Sequence, residues 1–298
     1  MTRLPLVLVA LAVALVGCEE GLLEPPEIDA RYTLWGAFDP AADRQAVRVV
    51  PVTDTVGLGS ADPLPATVTS LNLETGTETV WEDSVVVFQN GSIGHIYRAD
   101  LQPEYGSRHV FRVTDDEGET SALVSVPPLV QPIRQPPVVG SGVLYPVLWI
   151  DAPQLNRARV TFLVEGSGCS LYEASRTLTP NRVRPVEFGW QAVVPFDELA
   201  ADLLRESLDR NPTRPGEIRK LSVREMTLSV EVASEDWRPP GGVFDPEVLV
   251  EPGTLSNVTR GFGFVGASYP VEVTWSPTPD ELRRTILEQN RFDCTAAG

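Results

Sequence analysis

The fold of this chain is constrained most by a succession of short β-patterned runs between residues 31 and 127. They are rich in valine, threonine and aromatic residues and are bounded by turn residues. Side chains of a strand alternate between its two faces, and many short strands at regular spacing without a convincing helix predict an antiparallel sandwich. The runs are Tyr32–Phe38, Ala46–Val52, Thr67–Leu73, Thr77–Trp81, Ser84–Phe88, His95–Leu101, Ser107–Thr114 and Thr120–Val126.

The second half of the chain is also rich in β patterns, but it contains a helical segment. Asp197 is placed to cap a helix over Glu198–Leu208, in which several leucines share one stripe. Pro279 and Asp280 predict the start of another short helix near the end of the chain. The predicted strands are Val143–Ile150, Ala158–Val164, Val183–Val194, Arg224–Val232 and Gly263–Trp275.

A Pro-rich segment at residues 129–140 separates these halves and is predicted to be a linker, because proline lacks a backbone donor and stiffens the chain. Residues 30–128 and 141–277 are then two domains, followed by a C-terminal helix and tail at 278–298. The predicted fold class is all-β, with two β-sandwich-like domains. The first would be immunoglobulin- or transthyretin-like, and the second would carry one inserted short helix.

The first seventeen residues consist of a short basic start and an apolar run that ends in Leu-Val-Gly before Cys18. The run is too short to span a bilayer comfortably, which favours a cleaved signal over a transmembrane helix. It resembles the lipobox of bacterial lipoprotein precursors, in which cleavage precedes the cysteine and lipid is attached to that residue. Residues 1–17 are therefore predicted as a signal peptide, Cys18 as the lipidation site, and the acidic, Pro-bearing residues 18–29 as a tether.

The charge of the chain excludes one class of partner. Asp and Glu number 41 against 24 Lys and Arg, which gives a net charge of −17. So acidic a surface repels nucleic acid backbones and anionic lipid headgroups. Membrane attachment is expected to come from acyl chains on Cys18, at roughly 0.8 kcal/mol per buried methylene.

Two further cysteines, Cys169 and Cys294, remain once Cys18 carries lipid. An even pair in an oxidising compartment is compatible with a disulfide that closes a long loop, worth roughly 4–5 kcal/mol in the chain-entropy model. Two unpaired thiols, one of them in a frayed tail, are the alternative. The sequence leaves both open.

The chain has only two histidines, His95 and His109. A hairpin with its turn at Glu104–Tyr105 would place His109 opposite Asp100 and His95 opposite Thr114, far apart on one sheet. A zinc site needs three or four converging ligands, and none is visible. We therefore predict no metal site, and expect His109 to be a core or rim residue bonded to Asp100.

Other catalytic and cofactor patterns are incomplete. Neither Gly140-Ser-Gly142 nor Gly166-Ser-Gly-Cys169 is a Gly-x-Ser-x-Gly nucleophile elbow. Gly261-Phe-Gly-Phe-Val-Gly266 matches the dinucleotide pattern, but a β-patterned segment follows it where a helix is required. The acidic turn Asp115–Glu119 lacks the alternate spacing of a calcium loop and is interpreted as a solvated hairpin tip. No catalytic residue and no cofactor are predicted.

Tryptophans are the remaining basis for ligand recognition. Five of the six lie inside β patterns and are expected in cores, whereas Trp237 lies in the loop Ser234–Gly242. An exposed loop tryptophan can stack on a sugar ring or fill a partner's pocket. The alternative is that the ring folds back over the edge of its own sandwich.

Three segments, together with the N-terminal pattern, carry a family resemblance: residues 32–49, residues 101–127 and residues 256–267, the last reading Ser-Asn-Val-Thr-Arg-Gly-Phe-Gly-Phe-Val-Gly-Ala. They resemble the envelope lipoproteins of domain-of-unknown-function family 4249. His109 stands where such domains usually have tyrosine, and Arg260 where glycine is expected. The resemblance implies an immunoglobulin-like N-terminal domain, a β-rich second half, and company with TonB-dependent outer-membrane transport systems.

These observations lead to one functional expectation with two alternatives. The chain is expected to be a non-enzymatic lipoprotein of the outer membrane, on its periplasmic face or at the cell surface. It would be a binding or accessory subunit that docks on a TonB-dependent receptor or captures a glycan or peptide ligand. The alternatives are a structural envelope scaffold that mediates protein contacts, and an exported hydrolase.

Overall fold

The computed structural model describes residues 30–52, 59–140, 142–165, 171–210, 222–237, 256–278 and 281. No helix in this part of the chain is long and apolar enough to cross a membrane. The helix α1 is Phe196–Arg210, and a short 3-10 helix lies at Pro180–Arg182. The strands are β1 Tyr32–Phe38, β2 Arg44–Pro51, β3 Thr67–Asn72, β4 Glu78–Val80, β5 Glu82–Val87, β6 Ile93–Asp100, β7 Arg108–Asp115, β8 Gly118–Ser125, β9 Pro132–Arg134, β10 Val138–Val139, β11 Val143–Ile150, β12 Gln154–Glu165, β13 Leu171–Thr177, β14 Val183–Val186, β15 Gly189–Pro195, β16 Ser222–Ala233, β17 Val258–Thr259 and β18 Gly261–Trp275.

The first sandwich has immunoglobulin topology. Strands β1, β2, β6 and β5 are neighbours in one sheet, and β8, β7, β3 and β4 are neighbours in the other. If the strands are lettered in chain order, the neighbours in the first sheet are A-B-E-D and those in the second are G-F-C. These are the sheets of an immunoglobulin domain, with β4 as an added edge strand. Alternate apolar residues of both sheets, among them Leu34, Val47, Phe111 and Val124, are fully buried in the shared core. The predicted all-β, immunoglobulin-like fold is confirmed.

The predicted hairpin around Glu104–Tyr105 is wrong. Strand β6 pairs with β2 and β5, whereas β7 pairs with β3 and β8 in the opposite sheet. The connection therefore crosses from one sheet to the other, as the E-to-F connection of an immunoglobulin domain does. Asp100 forms an ion pair with Arg44 at 3.4 Å, and His109 does not bond to it. Local alternation locates strands, but it does not say which strands pair.

The second sandwich packs the sheet β13-β12-β16-β18 against the sheet β10-β11-β15-β14. The alternation predicted for β16 is confirmed, with Met226, Leu228 and Val230 buried in this core. Residues 183–194 form two strands rather than one, because a tight turn before Gly189 reverses the chain. Helix α1 begins before Asp197, and that carboxylate accepts a hydrogen bond from the Val143 backbone N–H. Asp197 thus ties the helix to β11. The predicted C-terminal helix falls outside the described residues, apart from Glu281.

The Pro-rich segment 129–140 is part of the sheet and not a free linker. Strands β9 and β10 both pair with β11, at successive positions along the same edge. Proline is tolerated on edge strands because no neighbour requires its missing N–H. At the start of the segment, the Tyr269 hydroxyl donates to Pro128 O at 2.7 Å and accepts from Val130 N at 2.9 Å. These bonds attach the connection between the halves to β18.

Strand β18 belongs to both sandwiches. Its first half pairs in parallel with β1, from Gly261 to Ala267, and its second half pairs antiparallel with β16, from Ser268 to Trp275. Val265 lies in the first core, whereas Val273 lies in the second. A single eight-stranded sheet therefore runs through both halves, in the order β13-β12-β16-β18-β1-β2-β6-β5. The predicted boundary at residue 141 divides the chain but not the cores, since residues 258–267 return to the first sandwich.

Candidate functional site

The three cysteines predicted to carry chemistry, Cys18, Cys169 and Cys294, lie outside the described residues. The lipidation and disulfide predictions therefore remain predictions. Trp237 is described and is only 3% exposed. Its ring packs against Phe264 with centroids 5.6 Å apart, and Ala233 completes this small cluster on the outer face of the large sheet. This arrangement corresponds to the alternative in which the indole covers its own sandwich, so Trp237 is not an exposed ligand contact.

His109 forms part of a serine–histidine pair that has no access to substrate. Its Nε2 lies 3.0 Å from Ser107 Oγ, and both residues are buried. The Ser107 hydroxyl donates to the Glu104 backbone carbonyl at 2.6 Å, so the histidine N–H is the donor in the pair. A serine nucleophile requires the opposite polarity, with the imidazole accepting the hydroxyl proton. The pair therefore holds the entry to β7 and does not activate the serine.

His95 lies between a carboxylate and a backbone carbonyl. Its Nδ1 lies 2.7 Å from Asp83 Oδ2, and its Nε2 lies 3.1 Å from the Ser60 backbone carbonyl oxygen. Both ring nitrogens thus face acceptors, and the buried ring anchors residue 60 to β5 and β6. Burial, together with the nearby Asp83 carboxylate, raises the pKa of Tyr97 to about 12. The His95 bonds therefore join β5, β6 and the segment at residue 60.

We expect His109 to contribute to the loss of folding stability at acidic pH. Burial lowers the pKa of His109, and the carboxylates of Glu74 and Glu104 oppose this only in part. The unfolded chain binds a proton near pH 6.5 that folded His109 does not bind. The stability that depends on neutral His109 is therefore complete above about pH 6.5 and is lost as pH falls toward the lowered folded-state pKa. The loss is at most about 1.4 kcal/mol per pH unit.

The measurement is urea unfolding at pH 7.5 and pH 5.0 for wild type and His109→Gln. The free energy of unfolding should fall less on acidification in the variant, although the variant is less stable at pH 7.5. His95→Gln keeps His109 and serves as the control, in which this share of the acid sensitivity persists. Equal acid sensitivity of wild type and His109→Gln would contradict the assignment.

The first carboxylate of the acidic turn at the end of β7, Asp115, is already bonded within the chain. Asp115 Oδ2 accepts from the Tyr32 hydroxyl at 2.8 Å and lies 3.0 Å from an Arg31 guanidinium nitrogen. Its other oxygen accepts from the backbone N–H groups of Glu117 and Gly118. Within the described ranges, no group of three or more potential ligands could hold a metal ion. The turn closes the β7–β8 hairpin, and both carboxylate oxygens of Asp115 are used in doing so.

The candidate site that the structure adds is a groove where the two sandwiches meet, with a cavity volume of about 610 Å³. We call it the junction groove. Its walls come from the end of β8 and the residues after it, from the turn after β16, and from the start of β17 and β18. The lining residues are Ser125, Val126, Pro127, Pro128, Pro153, Ser234, Glu235, Asp236, Ser256, Asn257 and Phe264.

Some polar side chains that line the groove are already hydrogen-bonded, and one is not. Ser256 Oγ donates to Gly263 O at 2.8 Å, and the Asn257 amide bonds to both backbone polar atoms of Val265, so these groups are already used. The Ser234 side chain, by contrast, is 2% exposed, and its Oγ has no hydrogen-bond partner in the described part of the chain. Buried hydroxyls in native proteins rarely lack a partner. The Ser234 hydroxyl is therefore an unsatisfied group within the wall of the groove, sealed from solvent.

Charge distinguishes the rim of the groove from its floor. Glu235 and Asp236 are exposed at the rim, whereas Val126, Pro127 and Phe264 form a buried apolar floor. The carboxylates are acceptors only, and they favour ligands with hydroxyl or ammonium donors. An apolar concavity with a few converging polar groups is typical of binding sites.

Sequence reasoning identified the motif at residues 256–267 and the loop that begins at Ser234, but not that the motif and Ser234–Asp236 line one groove. Only the polar and glycine-rich composition of these two segments marked them as possible binding residues. Strand β18 brings them together because it pairs with β1 and β16 in succession.

Comparison with known proteins adds little to this geometry. No protein-family model and no curated protein matches the chain. Among solved structures, a crystal structure of bovine butyrophilin aligns at 12% identity over 67% of this chain and 92% of that chain, with a TM-score of 0.20. The fold assignment depends on the strand order described above.

Proposed function

We propose that this chain is a non-enzymatic, outer-membrane-anchored lipoprotein that acts as a binding or accessory subunit of an envelope transport system. The observation that carries the proposal is the junction groove, a ligand-sized concavity between two sandwiches that share one strand. Because β18 runs unbroken through both cores, the walls of the groove are held in register. A preformed site of this kind suits capture and presentation of a ligand.

The chemistry of the groove selects the class of ligand. The two rim carboxylates, Glu235 and Asp236, favour a ligand that supplies several hydrogen-bond donors. A glycan supplies them as hydroxyls and a basic peptide supplies them as ammonium groups. Binding of a basic peptide should weaken strongly with added salt, whereas binding of a neutral glycan should not.

We expect one of two probes, maltohexaose or tetralysine, to raise the melting temperature, because a ligand that binds only the native state stabilises it. The double variant Glu235→Gln with Asp236→Asn should lose most of that shift. A matched control, Asp43→Asn with Glu187→Gln, neutralises two exposed carboxylates away from the groove and should keep it. Absence of a shift with both probes, or an equal loss in the control, would count against a donor-rich ligand in this groove.

The partner is tested by cross-linking in intact membranes. The tagged protein, recovered after gentle solubilisation, should bring with it a stoichiometric TonB-dependent receptor. A Cys18→Ala variant should lose both the anchor and the receptor. Recovery of the anchored wild type alone would favour a free-standing binder or a structural scaffold.

A further inference from the structure

The smaller sheet of the second sandwich is apolar on its outer side as well as on its core side. Its strands are β9, β10, β11, β14 and β15. Residues that pair directly on neighbouring antiparallel strands point to the same side of the sheet, so the register defines the outer side. We call this side the small-sheet face, and its apolar members include Ile133, Val138, Leu144, Leu148, Ile150 and Val193.

Strand β11 has the composition of a strand that is covered on both sides. Alternate residues from Val143 to Trp149 lie in the second core, and the residues between them, from Leu144 to Ile150, are apolar too. Strand β16 of the opposite sheet shows the usual contrast, since its outward residues from Glu225 to Glu231 are all polar. Continuous apolar runs are typical of strands buried on both faces. The outer side of β11 is therefore suited to contact and not to water.

The described part of the chain leaves the small-sheet face open to solvent. Val138 is 55% exposed, Ile133 is 44% exposed and Ile150 is 42% exposed. Phe188, in the turn between β14 and β15, is 64% exposed, and its carbonyl accepts from the N–H of Asp151, directly after Ile150. Contiguous exposed apolar surface of this kind marks an interaction site.

The same face lacks negative charge, although the net charge of the chain is −17. Residues 120–150 contain no Asp or Glu, and neither do β14 and β15. The charged residues of the five strands are Arg134 and Arg184, on opposite edges of the sheet. If two copies packed through this face, their large sheets would lie roughly 30 Å apart, because packed sheets are about 10 Å apart, and the Debye length is only about 8 Å. Two acidic chains can therefore approach through this face with little mutual repulsion.

The rim of the face carries both signs of charge. Asp151 and Glu187 follow the strands at one end, and Glu198 lies at the other end, paired with Arg182 at 2.6 Å. Carboxylates at both ends would be repelled by an anionic lipid surface. A rotated copy of the same face presents arginines as well as carboxylates, so it can match a mixed rim.

The size of the face is close to the minimum for a specific dimer. The eight residues of β11 span about 26 Å, and four strands side by side span about 19 Å. Each copy would contribute roughly 500 Å², and the pair about 1,000 Å², which is the lower bound for a biological interface. We therefore expect reversible association with a micromolar dissociation constant.

We propose that the small-sheet face binds the same face of a second copy of this chain, in a symmetric dimer with the two small sheets packed against each other. The apolar residues of β11 and its neighbours would form the buried centre of the interface, and Arg134 and Arg184 would lie at its rim. The dimer does not depend on the function proposed for the junction groove.

The experiment is energy transfer between full chains that carry a donor or an acceptor dye at the C terminus, reconstituted together in phosphatidylcholine vesicles. As the surface density increases, transfer between wild-type chains should rise above the level that random proximity produces. Ile133→Glu with Ile150→Glu places like charges across the interface. This double variant should weaken the dimer about a hundredfold or more and return transfer to the random level. Added salt should strengthen the wild-type dimer, because it screens the repulsion between two acidic chains.

A matched control separates the interface from a general effect of added charge. Val80→Glu with Leu123→Glu also places two carboxylates at apolar positions, which are 66% and 48% exposed on the first sandwich. This control should keep the energy transfer of wild type. Both double variants replace exposed residues, so their urea unfolding midpoints should stay close to that of wild type.

Three results would overturn the proposal. The first is wild-type transfer that stays at the random level at every surface density; stronger quenching of wild type than of the Ile133 and Ile150 variant by brominated phosphatidylglycerol would then assign the face to lipid. The second is an equal loss of transfer in the Val80 and Leu123 control. The third is full transfer in the Ile133 and Ile150 variant, which would place the contact between copies elsewhere.

Discussion

Replacement of Gly263 by alanine is expected to destabilise both sandwiches, by about 3 kcal/mol or more. Gly263 has φ +97°, a conformation that residues with a side chain rarely adopt, and a Cβ there would lie 2.1 Å from the Leu34 backbone oxygen. That oxygen belongs to β1 and cannot move without breaking the parallel pairing with β18. Because β18 also supplies Val273 and Trp275 to the second core, the damage should extend to both halves.

Urea unfolding followed by both tryptophan fluorescence and circular dichroism would measure this effect. Gly76→Ala is the matched control, since Gly76 also has positive φ, +71°, but a Cβ there meets nothing within 4 Å. The control isolates the backbone penalty, about 1 kcal/mol. Similar costs at the two glycines would contradict the claim that close approach of β1 and β18 decides the effect.

Replacement of Asn257 by alanine is expected to cost about 2–5 kcal/mol, because two buried backbone groups would lose their partners. The Asn257 amide donates to Val265 O at 2.7 Å and accepts from Val265 N at 3.0 Å, while Val265 is fully buried. Strand β16 pairs with β18 only from Ser268 onward. The side chain of Asn257 therefore takes the place of a neighbouring strand beside the first half of β18.

The free energy of unfolding from urea titration again measures this cost. Asn257→Asp should also be destabilising, since a carboxylate accepts from Val265 N–H but faces the Val265 carbonyl without a donor. Asn72→Ala is a control at an exposed turn, where the side chain accepts from the N–H groups of Glu74 and Thr75, and it should cost no more than about 1 kcal/mol. A cost at Asn257 as small as at Asn72 would show that water can replace the amide.

The alternation of apolar residues predicted much of the strand content because it is a local signal. Strands β1 and β11 have the predicted bounds, and β16 has the predicted dry face. The alternation did not predict which strands pair. His109 was predicted opposite Asp100, but β6 and β7 lie in different sheets. The Pro-rich segment was predicted to be a linker, but it forms two short strands that pair with the edge of β11.

The candidate sites were less predictable than the strands. The Ser256–Ala267 motif and the Ser234 loop were identified as unusual, but no sequence signal connects two segments that lie on different strands.

The sequence by itself determined the all-β class and which side chains face a core, because side-chain alternation is fixed within each strand. Only the tertiary structure decided that β18 is shared, that residues 258–267 complete the first sandwich, and that the junction groove exists. These features depend on contacts between residues far apart in the chain, such as Tyr32 with Gly261 and Met226 with Trp275. Several pairings satisfy the same alternation, and only closure of both cores together selects one of them.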